Sequence, residues 1–227
     1  MPTARFLGHS CVEVTSDDKK FTLVIDPFLS GQSHAPVKPE DIKANYVLIT
    51  HGHGDHLGDG IEIAKRNDAT IIANNELAHY CATKGCKMHC MHIGGAHDFD
   101  FGRVKLTIAH HGGGAGPDAA IYTGPPVGFL ITMNNKTLYH SGDTGLFYDM
   151  KLIGEMNIIA LAFLPIGDNF TMGVADAVKA VEFLKPKKVV PFHYGTFPVI
   201  ESDPKSFKAR VKGPEVVILK PGESITY

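Results

Sequence analysis

The sequence predicts an α/β fold in one domain, and three observations carry that reading. Short β-rich runs alternate with helical stretches from end to end. Several of the runs are apolar on both faces, as in buried strands. The 227 residues are 44% hydrophobic and 20% charged, enough to bury a core without disulfides. No linker, charge block or low-complexity tract divides residues 1–227, whose two halves share a coarse alternation of strands and helices.

Ala4–Leu7, Cys11–Thr15 and Phe21–Ile25 read as strands, with Ser16-Asp17-Asp18-Lys19 as a turn. Tyr46–Thr50 is a buried strand that stops at a histidine. Ile61–Arg66 forms a short helix and Thr70–Ala73 returns as a strand. Glu76–Lys84 is a helix capped by Asn74 or Asn75 and ended by Gly85. Val104–Ala109 is a strand that ends at a pair of histidines, and Gly112–Gly128 reads as a mobile loop. Phe129–Met133 and Thr137–His140 make a hairpin across Asn134-Asn135-Lys136. Ile158–Leu164 is a buried strand, and Val174–Leu184 an amphipathic helix that stops before Pro186. Val189–Phe192 is a strand ending at a histidine, and Asp203-Pro204 starts a short helix to about Val211. Val216–Leu219 and Ser224–Tyr227 close the chain as strands.

Composition excludes several classes of partner. Twenty-two Lys and Arg against 24 Asp and Glu leave a net charge of −2, which gives nucleic acid no electrostatic footing. No apolar run approaches the ~18 residues of a membrane span, and the start shows no signal-peptide core. Four cysteines are too few for a disulfide scaffold, so a reduced, cytoplasmic protein is expected. The expected partner is a small-molecule substrate, with self-association left open.

Thirteen histidines stand in a chain without tryptophan. The strongest signal is His51-Gly52-His53-Gly54-Asp55-His56, directly after a buried strand. Imidazole and carboxylate are ligands for zinc, manganese, iron or nickel. Glycines at 52 and 54 remove bulk, so alternate residues can face one centre. A two-metal site needs further ligands, and other strand ends offer His111, Asp143 and His193. His51, His53 and His111 then serve one metal, and Asp55, His56 and His193 the other, with Asp143 bridging.

That order of motifs resembles the metallo-β-lactamase superfamily. Leu7-Gly8-His9-Ser10, Ile25-Asp26-Pro27, Pro165-Ile166-Gly167 and Pro191-Phe192-His193-Tyr194-Gly195-Thr196 are similar to one branch of it. This is the compact metal-dependent hydrolase branch related to ascorbate-6-phosphate lactonase. The resemblance implies a four-layer αββα sandwich (the metallo-β-lactamase fold) with two divalent metal ions, zinc or else Mn, Fe or Ni, at one edge. His110-His111 leaves two candidates at the third motif. His111 fits the branch, where small residues follow the ligand, as Gly112-Gly113 do here, and His110 is then a neighbour packing under the site.

Such a site predicts hydrolysis of a small ester, lactone or phosphoester by a metal-bridging hydroxide. Asp55 is the catalytic candidate that orients the nucleophile and relays a proton, and His9 is a candidate substrate contact or acid, or else a buried structural histidine. Asp26 reads equally as a partner fixing a ligand imidazole or as a turn residue before Pro27. Tyr194 and Thr196 can donate to a substrate oxygen, whereas His140 suits the core. Cys81, Cys86, His89, Cys90 and His92 lack zinc-finger spacing and read as core packing, and His79 and His97 as surface. The competing functions are an iron-dependent oxidoreductase and a non-catalytic metal-binding protein. The family's diiron pattern places Glu where His53 stands, which favours hydrolysis.

Overall fold

A computed structural model describes all 227 residues. Along the chain run β1 (Thr3–Gly8), β2 (Cys11–Thr15), β3 (Thr22–Ile25), β4 (Tyr46–Leu48), α1 (Gly54–Leu57), α2 (Gly60–Asn67), β5 (Thr70–Asn74), α3 (Asn75–Thr83) and β6 (Lys87–Met91). There follow β7 (Ala96–Phe99), β8 (Gly102–Ile108), a small hairpin of β9 (Gly114–Ala115) and β10 (Ile121–Tyr122), β11 (Val127–Met133), β12 (Lys136–His140) and α4 (Met150–Met156). The chain closes with β13 (Ile159–Pro165), α5 (Val174–Leu184), β14 (Lys188–Phe192), α6 (Pro204–Arg210), β15 (Glu215–Val216) and β16 (Ser224–Thr226).

Two seven-stranded sheets result, ordered β16-β1-β2-β3-β4-β5-β6 and β15-β14-β13-β12-β11-β8-β7. Each is antiparallel in one half and parallel in the other, with β3 and β12 at the change. The coarse likeness of the two halves of the sequence is this repeated sheet plan.

The period of two along each strand builds the layers. Leu23, Ile25, Leu48 and Ile72 point into a shared core with Phe129, Ile131, Leu138, Phe163 and Val190 of the opposite sheet. Their neighbours Val24, Val47, Ile49 and Ile71 face the other way, against Ile63 of α2 and Leu77 of α3. Tyr139, Ala162, Leu164 and Val189 likewise face Ala177, Val181 and Leu184 of α5 and Phe207 of α6. The outcome is the four-layer αββα sandwich. Asn74 caps α3 by accepting from the Leu77 amide, and Asp203 caps α6 through the amides of Lys205 and Ser206. No helix is long and apolar enough to cross a membrane.

The structure departs from the sequence reading in a few places. Gly112–Gly128 holds the β9–β10 hairpin and buries Ala115 and Thr123, so it is not a structureless loop. Its glycines serve close packing: a Cβ on Gly113 would lie 2.1 Å from the Gly124 carbonyl oxygen. The last parallel pairing stops after Val216, because Pro191 in β14 has no N–H to extend the ladder. Helix α4, absent from the sequence reading, is short and exposes Leu152 and Met156. Cys81 and Cys86 are buried as expected, whereas Cys90 and His92 lie on the surface of the edge strand β6 and its turn.

Candidate metal centre

The site forms where strands running the same way end at one edge of the sandwich. β1 delivers His9, β3 Asp26, β4 His51, β8 His111, β12 Asp143 and β14 His193. At β4 the side chain of the last residue before the motif does the anchoring. The Thr50 amide donates to Asp26 Oδ1 (2.8 Å) and the Thr50 hydroxyl to Asp26 Oδ2 (2.7 Å). With its proton committed, Thr50 Oγ1 accepts from His51 Nδ1–H at 2.9 Å. His56, on α1, donates from Nδ1 to Asp26 Oδ2 at 2.8 Å. In their neutral forms both rings therefore present a bare Nε2 to the centre. Gly52 is required here, because a Cβ would lie 2.3 Å from Thr123 Oγ1, whereas Gly54 has open space around it.

Asp143 Oδ2 is the geometric centre, 2.9 Å from His193 Nε2, 3.2 Å from His56 Nε2 and 3.6 Å from His111 Nε2. Its loop is held by His140, which accepts from the Gly142 amide and donates from Nε2 to the Ser10 carbonyl at 2.9 Å. On one side His51, His53 and His111 converge, with His51 Nε2 2.9 Å from His53 Nδ1. On the other, Asp55 Oδ2 is 3.8 Å from His193 Nε2 and 3.9 Å from His56 Nε2, and His9 completes the group. The cavity over these residues encloses about 190 Å³ and is lined by His53, Asp55, His111, Asp143, His193 and Phe170.

Charge within the cluster is strongly polarised. Burial works against ionisation of Asp143, but His56 and His193 outweigh it and hold the carboxyl well below the usual range. Burial also opposes the proton on His193, yet Asp143 and Asp55 lift that imidazole to about 9. His56 is raised in the same way by Asp143 and Asp26. His51, His53 and His111 are all pushed down, burial being the first cause. Three buried ligand atoms, His56 Nε2, His193 Nε2 and Asp143 Oδ1, make no hydrogen bond. Orphaned buried lone pairs on imidazole and carboxylate suit a cation, which satisfies them together and displaces the protons.

Residues 22–194 match the model of a Beta-lactamase superfamily domain. A UPF0173 metal-dependent hydrolase of Bacillus licheniformis is 55% identical over 223 residues, covering 97% of each chain. The Bacillus subtilis protein YtkL, also a UPF0173 metal-dependent hydrolase, is 53% identical over 221 residues and covers 96% of each. Igni18, a metallo hydrolase of the archaeon Ignicoccus hospitalis, has a solved structure that superposes with a TM-score of 0.90 at 34% identity, over 100% of this chain and 98% of that one. The chain belongs to the metallo-β-lactamase superfamily. Within that superfamily it is a member of the UPF0173 metal-dependent hydrolases.

All seven residues expected as ligands in this metallo-β-lactamase fold, His51, His53, Asp55, His56, His111, Asp143 and His193, come together at one edge. Of the histidine pair, His111 faces the cluster. His110 is exposed and stacks on Phe147 at 4.9 Å, so it does not pack under the site. Asp26 is fully buried and bonded to His56, the role of a partner that fixes an imidazole. His9 lies behind Asp55 rather than in the cavity, and its side chain has no exposed surface. It donates from Nε2 to Asp55 Oδ2 at 3.1 Å and accepts at Nδ1 from Thr196 Oγ1 at 2.9 Å. Burial pushes its pKa down to about 4, and its side chain meets Asp55 and Thr196 rather than the cavity over the cluster. The Thr196 hydroxyl is thereby committed to His9, and Tyr194 packs against the α5 layer. Sequence reasoning missed Thr50, which carries no motif but anchors His51, and Phe170, which lines the cavity.

Proposed function

We propose that this chain is a dinuclear hydrolase of a small ester, lactone or phosphoester. His51, His53 and His111 would hold one divalent ion and Asp55, His56 and His193 a second, with Asp143 within reach of both. The observation that carries this reading is the convergence of orphaned, buried ligand atoms on Asp143 Oδ2. Nitrogen and carboxylate donors suit zinc, and equally manganese, iron or nickel. When bound, such a pair of cations supplies hydroxide at neutral pH and draws charge from the substrate oxygen.

The protein's own groups do the remaining work. Asp26 and Thr50 fix the tautomers of His56 and His51, so that their Nε2 lone pairs face the centre. Asp55, 26% exposed to the cavity, is steadied at Oδ2 by His9, and its carboxylate would orient the nucleophile by accepting its hydrogen bond. A cavity of about 190 Å³ over these residues suits a small molecule. Elemental analysis of purified protein, joined to a panel of lactones, phosphodiesters, thioesters and β-lactams, tests the reading. Two metals per chain are expected, with turnover that disappears in His53→Ala and Asp143→Ala. Fewer than about one metal per chain after reconstitution overturns it.

A further inference from the structure

Three adjacent parallel strands of the second sheet, β12, β13 and β14, end at the site. The outer two lead to Asp143 and His193. The central one, β13, supplies no ligand but leads into the turn that carries Phe170.

That turn is fixed to both ligand loops. The Met172 amide donates to the Thr144 carbonyl at 2.9 Å, next to Asp143. A Cβ on Gly167 would lie 2.2 Å from the His193 carbonyl oxygen, so the turn backs directly onto that loop. Asp168 and Asn169 both have left-handed φ (62° and 52°), an uncommon state for two consecutive non-glycine residues. The Asp168 amide donates to the Met172 carbonyl at 3.1 Å and its own carbonyl accepts from Thr171 at 3.2 Å, which closes the turn. The product of this construction is a phenyl ring that is 52% exposed yet lines the catalytic cavity. An exposed aromatic ring on a braced turn contributes little to folding and has its apolar face free for a ligand. The other lining residues are all candidate metal ligands, and none is Lys or Arg.

We propose that Phe170 is the specificity-determining side chain of this site, and that the substrate is an uncharged carboxylic ester or lactone whose apolar arm lies on that ring. The inference rests on the hydrolase reading above and selects among its substrate classes. Bound cations would meet ester and phosphate oxygens alike, so the choice rests on the rest of the lining: no Lys or Arg adds a further anchor for phosphate, whereas an apolar arm on Phe170 leaves water.

The test compares benzyl acetate with ethyl acetate, whose leaving groups are similar, and with benzyl phosphate, on metal-loaded wild type, Phe170→Leu and Phe170→Ala. The wild type is expected to favour benzyl over ethyl acetate by at least about tenfold in kcat/KM. Phe170→Ala should lose that preference through KM, with Phe170→Leu between them and metal content unchanged. Calorimetry adds a readout free of turnover: phenylacetate should bind the wild type more tightly than acetate does, and the preference should vanish in Phe170→Ala. An equal preference in wild type and Phe170→Ala overturns the role of the ring. Faster cleavage of benzyl phosphate than of benzyl acetate overturns the substrate class and leaves the hydrolase reading standing. Failure to cleave any of the three by a protein with its full metal content counts against the hydrolase reading, while the binding preference still decides the role of Phe170.

Discussion

On either side of Asp143 the imidazoles differ in what stands behind them. His56 is fully buried with its Nδ1–H on Asp26, and Asp55 beside it is held by His9, itself held by Thr196. Across the centre, His51 rests on Thr50, but His53 and His111 are half-buried, and their only hydrogen bond is the one between His53 and His51. A ligand whose far nitrogen is already bonded arrives oriented and in the right tautomer, while a free ring must be ordered by the ion itself. His193 Nδ1 makes no hydrogen bond, so each side has one backed imidazole, but the Asp55–His56–His193 side also has its carboxylate held by His9 and should hold a cation more tightly.

The most damaging change removes what both halves share. Asp143→Asn should lower metal content to below about one ion per chain and reduce turnover by well over 100-fold, beyond the 10–100-fold typical of losing an outer partner. Elemental analysis and steady-state kinetics measure both. Retention of two ions at wild-type affinity would show that the halves do not depend on Asp143.

Asp26→Asn touches the halves unequally, because Asp26 bonds His56 directly and reaches His51 only through Thr50. Asparagine can still accept from the Thr50 amide, but it loses the second carboxylate oxygen that His56 and the Thr50 hydroxyl share. Affinity for one cation should fall about 10–100-fold while the other changes less. Calorimetric titration of the apoprotein resolves the two steps, and an equal loss at both would erase the distinction. Stepwise chelation probes the same difference without mutation. The imidazole signals of His53 and His111 should respond first by NMR, and those of His56 and His193 later.

Much of this cluster was legible in the sequence because its candidate ligands sit where apolar runs stop. His51 after Tyr46–Leu48 and His193 after Lys188–Phe192 are local patterns, readable without knowing the fold. The backing residues were not. Asp26 and His56 are 30 positions apart, and only their 2.8 Å contact decides between an orienting partner and a turn residue. His9 resembled a substrate contact in a short turn, and its burial behind Asp55 comes from packing against His193 and Phe197. The glycine-rich segment reads as mobile because glycine serves both freedom and close approach, and sequence does not say which. β7 was invisible for another reason: Ala96, His97 and Asp98 are all exposed, so no alternation marks it as a strand.

The smallest effect belongs to the metal-free protein, where the two halves should respond to pH with opposite signs. His193 carries a folded pKa raised to about 9 against an unfolded value near 6.5. The folded state then binds more protons, so the stability it contributes is complete below about pH 6.5 and fades as pH climbs through about 9. His56 is shifted in the same direction. His51 and His111 are lowered, chiefly by burial, so their contribution is present above about pH 6.5 and fades as pH falls. Denaturant titrations of the apoprotein from pH 5 to about 9.5 should give a maximum near pH 6.5, with no more than about a tenfold change per pH unit for each imidazole. Reconstitution with metal should flatten the alkaline limb, because a ligand imidazole no longer carries the proton. An alkaline limb undiminished in His193→Gln apoprotein would assign it to His56 alone, and would move the strongest proton–metal competition from the β14 end to α1.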